Sequence, residues 1–305
     1  MRTEEMKSPK SPPLVSPQWL APRLRECKVL DASWYLPNQN RDTRAEFQTL
    51  RIPHAHFFDH DKDTDNKPKN YPHMMPSKAF FQEKMRKMGI GKNDHVVAYD
   101  TQGLFSAPRL WWMLRAFGHE KVSVLEGGLK AWIDDGQAVE KNPPAHDDTT
   151  PPSESEQGEA FVAVPNPKLL LQLEDVRANL ALDECKSVLM IDARSAGRFA
   201  GVDPEPRKGL LSGHIPRSVN VPFTSLVNGE SGTLFSESQL RSVFVDAGVS
   251  IEGVRALGVT CGSGMTAAII AIALARLGRW DVGLYDGSFA QWGDPTLGNP
   301  VDSDA

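Results

Sequence analysis

Residues 259–278 read VTCGSGMTAAIIAIALARLG, a short apolar run and a long one joined by a turn with a single cysteine. Residues 256–260 are brief, apolar and partly β-branched, which predicts a buried strand. Residues 266–279 are apolar on nearly every side and contain Gly278 near their end, which predicts a buried helix with a glycine stop. Cys261 therefore begins a turn between the carboxyl end of a strand and the amino end of a helix. In α/β proteins, ligands bind at such turns.

The composition of this turn favours a nucleophilic role for Cys261. Gly262 and Gly264 permit backbone angles that other residues resist, so that successive amide groups can point at one atom. The positive end of the helix dipole lies at the same point. Both features stabilise an anion on the sulfur. The alternative is a cysteine packed as a small hydrophobe, the usual role of a buried free cysteine, but glycines at a strand's carboxyl end favour the nucleophile.

The overall composition excludes several classes of protein. The chain has 305 residues, 40% of them hydrophobic and 24% charged, with a net charge of -5, so we expect a soluble protein of two domains and no nucleic-acid partner. It contains no apolar run of about 18 residues, so we expect no membrane span. Residues 1–13 resemble neither a secretory signal nor a transit peptide, which predicts a cytoplasmic protein, with mitochondria as the alternative compartment. The sparse cysteines (Cys27, Cys185 and Cys261) indicate no disulfide framework.

The second half of the chain repeats the first. LEGGLKAW, which ends at Trp132, returns as LYDGSFAQW, which ends at Trp292. VLDASW matches LMIDARS, which makes Asp31 equivalent to Asp192, and RIPHA matches HIPRS. These pairs occur in the same order in both halves. Because the distance between paired segments is nearly constant, we interpret the chain as a duplicated domain.

Each half alternates short apolar strands with helical patterns, which predicts the α/β class: two tandem domains, each a mostly parallel sheet with helices on both faces. The predicted central strands cover residues 29–31, 95–99, 123–125, 188–192, 257–260 and 282–285. We expect a disordered extension over residues 1–13, a first domain over 14–140, a linker rich in proline and acids over 141–160, and a second domain over 161–305.

A constant offset between the halves places Thr101 at the position of Cys261. The first domain therefore lacks the thiol, and we expect it to be non-catalytic and to serve as a wall of the site. This predicts one active site per chain, in the cleft between the domains.

Several segments carry a resemblance to a known family: LVSPQWL, RIPHAHFFD, GLFSAPRLWWMLRAFGH, LEGGLKAW, GRF with EPR, GHIP with NVPF, and YDGSFAQW. Together they identify the chain as a member of the rhodanese superfamily with tandem domains. The turn CGSGMT is similar to the CG[ST]GVT loop of the sulfurtransferases that use 3-mercaptopyruvate. Met265 replaces the usual valine, and Phe105 stands where animal members often have tyrosine.

The resemblance implies a reaction through a persulfide. The Cys261 thiolate would take the sulfur of 3-mercaptopyruvate, pyruvate would leave, and a thiol or cyanide would remove the outer sulfur. Arg198 and Arg207 would hold the carboxylate and the ketone, since the arginine fork suits such a pair, whereas Arg194 would be structural. Without the family match, a solvated salt bridge is the more usual role of an arginine.

The resemblance also implies the remaining site residues. Ser263, Asp61 and His73 would form a relay with Cys261, and the substrate would meet the turn at Gly262, Gly264, Met265 and Thr266. His60 has no counterpart with a role. The run DHDKDTDN invites a calcium interpretation but lacks the glycine and the distal glutamate of an EF-hand, so we expect no metal and no cofactor.

Three alternatives differ from this interpretation. Phosphatases with HCx₅R carry an arginine in the turn, which this chain lacks. Thiosulfate:cyanide sulfurtransferases carry CRKGVT, where two cations suit a dianion, whereas this chain has Gly262 and Ser263. The third alternative is a non-enzymatic sulfur-carrier or interaction module. The intact cysteine with its arginines argues against it for the second half of the chain, whereas it stays open for the first half. The sulfur acceptor (thioredoxin, glutathione, cyanide or a carrier protein) and the oligomeric state stay open.

Overall fold

A computed structural model describes residues 11–64, 71–141 and 159–304 of the chain. The disordered extension and the linker were predicted over 1–13 and 141–160. Residues 1–10 and 142–158 of these segments lie outside the described part. In the described part, no helix combines the length and the apolar character that crossing a membrane requires.

The first domain is built on a five-stranded parallel sheet with the order β1-β5-β4-β2-β3. Its strands are β1 (Leu14–Val15), β2 (Cys27–Asp31), β3 (His56–Phe57), β4 (His95–Tyr99) and β5 (Val122–Leu125). Its helices are α1 (Pro17–Leu20), α2 (Thr43–Thr49), α3 (Lys78–Lys87), α4 (Ala107–Ala116) and α5 (Gly128–Asp134).

The second domain repeats this sheet in the order β6-β12-β11-β7-β8, again all parallel. Its strands are β6 (Leu170–Leu171), β7 (Leu189–Asp192), β8 (Val219–Asn220), β11 (Leu257–Thr260) and β12 (Val282–Tyr285), with a separate antiparallel hairpin of β9 (Val227–Asn228) and β10 (Thr233–Leu234). Its helices are α6 (Leu173–Leu180), α7 (Ala196–Ala200), α8 (Glu237–Asp246), α9 (Ala267–Arg276) and α10 (Ser288–Trp292). The predicted α/β class and the duplication are confirmed.

The two domains meet through their most apolar helices. Every residue of α4 is buried, and so is every residue of α9 before Arg276. The two helices pack against each other, and each also contacts the central strands of its own sheet. A helix buried on opposite faces has to be apolar nearly all round, which is the pattern seen in residues 267–275.

The strand register corrects one prediction. Asp31 pairs with Tyr99 in the first sheet, and the equivalent Asp192 pairs with Thr260 in the second. The residue that follows Tyr99 is Asp100, so Asp100 occupies the position of Cys261, and the prediction of Thr101 there was wrong. The first turn has one more residue before its helix than the second, and an offset counted back from the later tryptophans misses this insertion.

Candidate active site

Cys261 directly follows β11 and is buried. The backbone N–H of Gly264 donates a hydrogen bond to its Sγ atom at 3.2 Å. The carbonyl oxygens of Cys261 and Gly262 accept from the first turns of α10, at Phe289 and Ala290. These bonds fix the turn to the connection between β12 and α10, and the sulfur of Cys261 already accepts one backbone N–H.

The two glycines of the turn have different reasons to be glycine. Gly264 has a φ of +81°, which strains any residue with a Cβ atom. Gly262 has no such angle, so the prediction of an unusual backbone conformation was wrong for this residue. A Cβ atom at Gly262 would lie 3.0 Å from Nη2 of Arg198 and 3.9 Å from Nη1 of Arg207. Gly262 therefore leaves room for the two guanidinium groups beside Cys261.

A cavity of about 560 Å³ opens over the turn at the domain interface. The first domain contributes an apolar wall in which Trp34 stacks on Phe105, and Phe223 of the second domain packs edge-on against Phe105. The other lining residues include, of those predicted to meet the substrate, Arg198, Arg207, Gly262, Met265 and Thr266. Gly264 faces away from the cavity residues, toward Arg109.

Arg194 and Arg198 share one carboxylate, that of Glu205. Glu205 is buried and accepts from Nε and Nη2 of Arg198 at 3.0 and 2.6 Å, and from Nη1 of Arg194 at 2.8 Å. Arg194 also forms several hydrogen bonds with Asp192 and has no exposed side-chain surface. Burial lowers the pKa of Arg207, and the charge of the nearby Cys261 opposes that shift.

Ser263, His73 and Asp61 form a continuous hydrogen-bonded row across the interface. Ser263 Oγ lies 2.9 Å from Nδ1 of His73, and Nε2 of His73 lies 3.2 Å from Oδ1 of Asp61. The other oxygen of Asp61 accepts the indole N–H of Trp34 at 2.9 Å. The hydrogen bond from His73 is the main cause that lowers the pKa of Asp61. His73 thus stands between the serine and the acid.

In the described part of the acidic run after β3, residues 59–64, the carboxylates bind other groups of the protein. Asp59 accepts the backbone N–H groups of Asp61 and Lys62, and Asp63 pairs with Lys84 at 2.9 Å. Within residues 11–64, 71–141 and 159–304, no group of three or more His, Cys, Asp or Glu side chains is placed to hold a metal ion. Burial lowers the pKa of His60 to about 3, so its imidazole is neutral.

Three contacts at the site were missed from the sequence: Glu205 on Arg198, Trp34 on Asp61, and Arg109 of α4 beside the turn. All three residues stood in quoted segments, Trp34 in VLDASW, Glu205 in EPR and Arg109 in GLFSAPRLWWMLRAFGH. Nothing local indicates the contacts of Arg109, because its partners, Asp286 and Gly264 of the second domain and the carbonyl of His73, are far from it in the chain.

A parallel sheet present twice, with a buried cysteine on the strand–helix turn of the second copy, defines a tandem α/β protein with a cysteine site between its domains. The rhodanese-like domain family matches residues 16–135 and 173–294. The chain belongs to the rhodanese family, which confirms the family predicted from the sequence.

Two types of sulfurtransferase are similar to the chain. It is 42% identical to human 3-mercaptopyruvate sulfurtransferase over 287 residues, covering 92% of this chain and 91% of the relative. It is 41% identical to rat thiosulfate sulfurtransferase over 288 residues, with the same coverage. The crystal structure of SseA from Escherichia coli, a 3-mercaptopyruvate sulfotransferase, matches with a TM-score of 0.77 and 36% identity over 91% of this chain and 99% of SseA. Overall identity does not separate the two donors.

Proposed function

We propose that this protein is a sulfurtransferase that moves the sulfur of 3-mercaptopyruvate through a Cys261 persulfide to a thiol or cyanide, with release of pyruvate. The observation that carries the proposal is the turn itself: a buried cysteine bonded by the Gly264 amide, beneath a cavity that two guanidinium groups border. The human and Escherichia coli relatives that act on 3-mercaptopyruvate support it.

In the first step, the Cys261 thiolate attacks the sulfur of the donor. An S–S bond forms, the donor's C–S bond breaks, and its electron pair passes to carbon, which gives the enolate of pyruvate. Arg198 and Arg207 hold the carboxylate and the keto oxygen, where the enolate charge develops. Glu205 fixes the fork of Arg198 through both Nε and Nη2, so less side-chain freedom is lost when the donor binds.

The row of Ser263, His73 and Asp61 handles the proton. The donor's thiol has one proton to lose, and the enolate carbon needs one to become pyruvate. Ser263 lines the same cavity as Cys261, two residues earlier in the chain, and its hydroxyl is hydrogen-bonded to His73, so it can pass a proton between the donor and His73. Asp61 stabilises the imidazolium that forms when His73 holds the proton.

The turn then holds the outer sulfur of the persulfide as an anion. The equivalent turn of the first domain supports this step, because its backbone N–H groups bind the carboxylate of one of its own residues. The Asp100 carboxylate, at the position of Cys261, accepts four backbone N–H groups at 2.8–2.9 Å, from Gln102, Phe105, Ser106 and Ala107. When the two turns are aligned at the starts of α4 and α9, the N–H groups of Phe105, Ser106 and Ala107 correspond to those of Met265, Thr266 and Ala267. An acceptor thiolate attacks the outer sulfur and returns Cys261 to the thiolate.

Thiosulfate is the second candidate donor, because a thiosulfate sulfurtransferase is 41% identical to this chain. The turn favours 3-mercaptopyruvate. Gly262 and Ser263 add no charge inside the turn, and the two arginines border it from outside, where the carboxylate of a ketoacid would lie. We expect thioredoxin, glutathione or cyanide as the acceptor, and the cytoplasm as the compartment.

The test is mass spectrometry of the intact protein after incubation with either donor, combined with a pyruvate assay. We expect 3-mercaptopyruvate to leave one additional sulfur on Cys261. Cys261→Ser should lose pyruvate release down to background, on the order of 10⁶-fold where a nucleophile is removed. Cys27→Ser and Cys185→Ser are the matched controls and should keep most of the activity. A persulfide on Cys27 or Cys185, with Cys261 unmodified, would overturn the assignment.

A further inference from the structure

Arg109 reaches from α4 across the domain interface to the catalytic turn. Its guanidinium is completely buried and forms an ion pair with Asp286 at 2.6 Å. The same Nη2 atom donates to the backbone carbonyl of His73 at 2.6 Å, and Nη1 lies 3.5 Å from the carbonyl of Gly264. One side chain of the first domain thus joins the segment that carries His73 to the turn that carries Cys261.

Asp286 holds the same segment at a second point. Its Oδ2 atom accepts the backbone N–H of Met75 at 2.8 Å, while Oδ1 receives Arg109. His73 itself has a φ of +60°, a conformation that costs free energy in a residue with a Cβ atom. Such a backbone persists only where its surroundings hold it, and the two anchors hold the carbonyl of His73 and the N–H group two residues further on.

We propose that Arg109 and Asp286 are positioning residues, which act through His73 and keep its imidazole between Ser263 and Asp61. This inference rests on the proposed function, since it assigns these residues to the proton-handling row of that reaction. Neither residue lines the cavity over Cys261, so the donor itself does not touch them.

The duplication supplies a matched control for this ion pair. Glu126 in LEGG stands where Asp286 stands in LYDG. It likewise accepts a backbone N–H from the other domain, that of Leu234 at 3.1 Å, and pairs with Arg276 at 2.8 Å. Glu126 therefore joins the domains in the same way, but its partners are on the hairpin and at the end of α9, away from the relay.

The experiment compares Asp286→Asn with Glu126→Gln in the full chain, using 3-mercaptopyruvate. Asp286→Asn keeps an oxygen for the N–H of Met75 but leaves Arg109 without its counter-ion. We expect kcat to fall on the order of 10²-fold, as a misplacement of about 1 Å in a catalytic group can cause, while KM stays unchanged because Arg198 and Arg207 keep their contacts. Glu126→Gln should change kcat by no more than about twofold, because a partly exposed ion pair contributes little.

A direct readout of His73 separates positioning from general damage. In protein labelled at histidine, the imidazole signal of His73, identified by its loss in His73→Gln, should move in Asp286→Asn and stay in Glu126→Gln. Arg109→Lys keeps a positive charge beside Asp286 but cannot bind His73 and Asp286 with the same fork, so kcat should fall there too. If Asp286→Asn does not fold, the double variant Arg109→Met with Asp286→Asn removes both buried charges and takes its place.

Equal losses of kcat in Asp286→Asn and Glu126→Gln would overturn the inference, and so would a change in KM alone or an unmoved His73 signal. The proposed function fails by a different result, namely a wild-type protein that releases no pyruvate and gains no sulfur from 3-mercaptopyruvate.

Discussion

After β4, the carboxylate of Asp100 fills the space at the start of α4 and takes up four backbone N–H groups. After β11, Cys261 stands at the same place, and its sulfur receives one N–H, from Gly264. The strands, the helices and the sheet order around the two turns are the same. The two turns therefore differ in the residue that follows the strand. Asp100 supplies a carboxylate, whereas Cys261 can become a thiolate or a persulfide anion.

The surroundings of the two turns differ in the same sense. Over the first turn, the Tyr35 hydroxyl contacts Thr101 and Glu46, and the hairpin of the second domain packs so closely that a Cβ atom on Gly103 would lie 2.5 Å from Cα of Gly232. Over the second turn there is a cavity, with Arg198 and Arg207 at its edge. Thr101 also lines a cavity, with Arg41 and Lys130, but Asp100 does not line it and has no exposed surface, whereas Cys261 lines the cavity over the second turn. The carboxylate of the first turn is therefore closed off, and the sulfur of the second turn is open to a donor.

Among the variants that test this comparison, the largest effect on activity is expected at Arg198 and Arg207, at the mouth of the second turn. Arg207→Gly should raise KM for 3-mercaptopyruvate by about 10- to 100-fold, which corresponds to the loss of about 1.5–3 kcal/mol from one charged hydrogen-bond pair. Arg198→Gly should behave similarly, and Arg207→Lys should restore little because a point charge does not reproduce the fork. Steady-state kinetics of pyruvate release measures all three.

Arg217→Gly is the control for this prediction. Arg217 belongs to the same domain, but its guanidinium binds the carbonyl oxygens of Leu180 and Leu182, away from the cavity. Unchanged kinetics in Arg207→Gly, or an equal effect in Arg217→Gly, would move donor binding away from the mouth of the second turn.

The sequence predicts the centre of each sheet well and its edges poorly. The six predicted strands lie within two residues of β2, β4, β5, β7, β11 and β12, because four or five apolar residues between polar turns form a clear pattern. The edge strands β1, β3, β6 and β8 have two residues each, too few for any periodicity, and they were not predicted. The hairpin of β9 and β10 has no counterpart in the first sheet, so the repeat could not reveal it.

The site also divides into residues that the sequence could predict and contacts that it could not. Cys261 and its glycines could be recognised because strand, turn and helix are adjacent in the chain, and the arginines and the relay followed from family motifs. The order of the relay, with His73 in the middle, and the ion pair of Arg109 with Asp286 depend on how the domains dock. Side-chain contacts between domains leave no local pattern. The one-residue shift from Thr101 to Asp100 needed the strand register.

The second prediction places charge inside the open turn, which the wild-type turn lacks. Gly262→Arg with Ser263→Lys should raise thiosulfate activity relative to 3-mercaptopyruvate activity, by at least about tenfold in the ratio of kcat/KM, or 1.4 kcal/mol. The Cβ atom of the new arginine would lie 3.0 Å from Nη2 of Arg198, so the side chain would crowd the ketoacid site. Ser263→Lys also removes the hydroxyl that is hydrogen-bonded to His73. Ser263→Ala alone is the control, since it loses the relay without adding charge. If the ratio of the two donors does not move, the charge of the turn does not set the choice of donor.

The smallest effect on activity is expected from the filled turn, where the consequence is on stability. Asp100→Asn keeps the size of the side chain but removes the charge and turns an NH₂ group toward one of the N–H donors. Hydrogen bonds to a charged group contribute about 1.5–3 kcal/mol, so the free energy of unfolding, measured in urea, should fall by roughly that amount. Thr101→Val, one residue further on, leaves all four amides on Asp100 and should lose less. At a temperature where both variants are folded, kcat/KM should stay within about twofold of wild type, because Asp100 is fully buried in the first domain and absent from the cavity.

Wild-type stability in Asp100→Asn would mean that these amides do not need an anion, and it would remove the support that the first turn gives to a persulfide anion held in the second. A large fall in kcat/KM with stability intact would instead give the first turn a part in the reaction, beyond the relay residues His73 and Asp61 that the first domain already supplies.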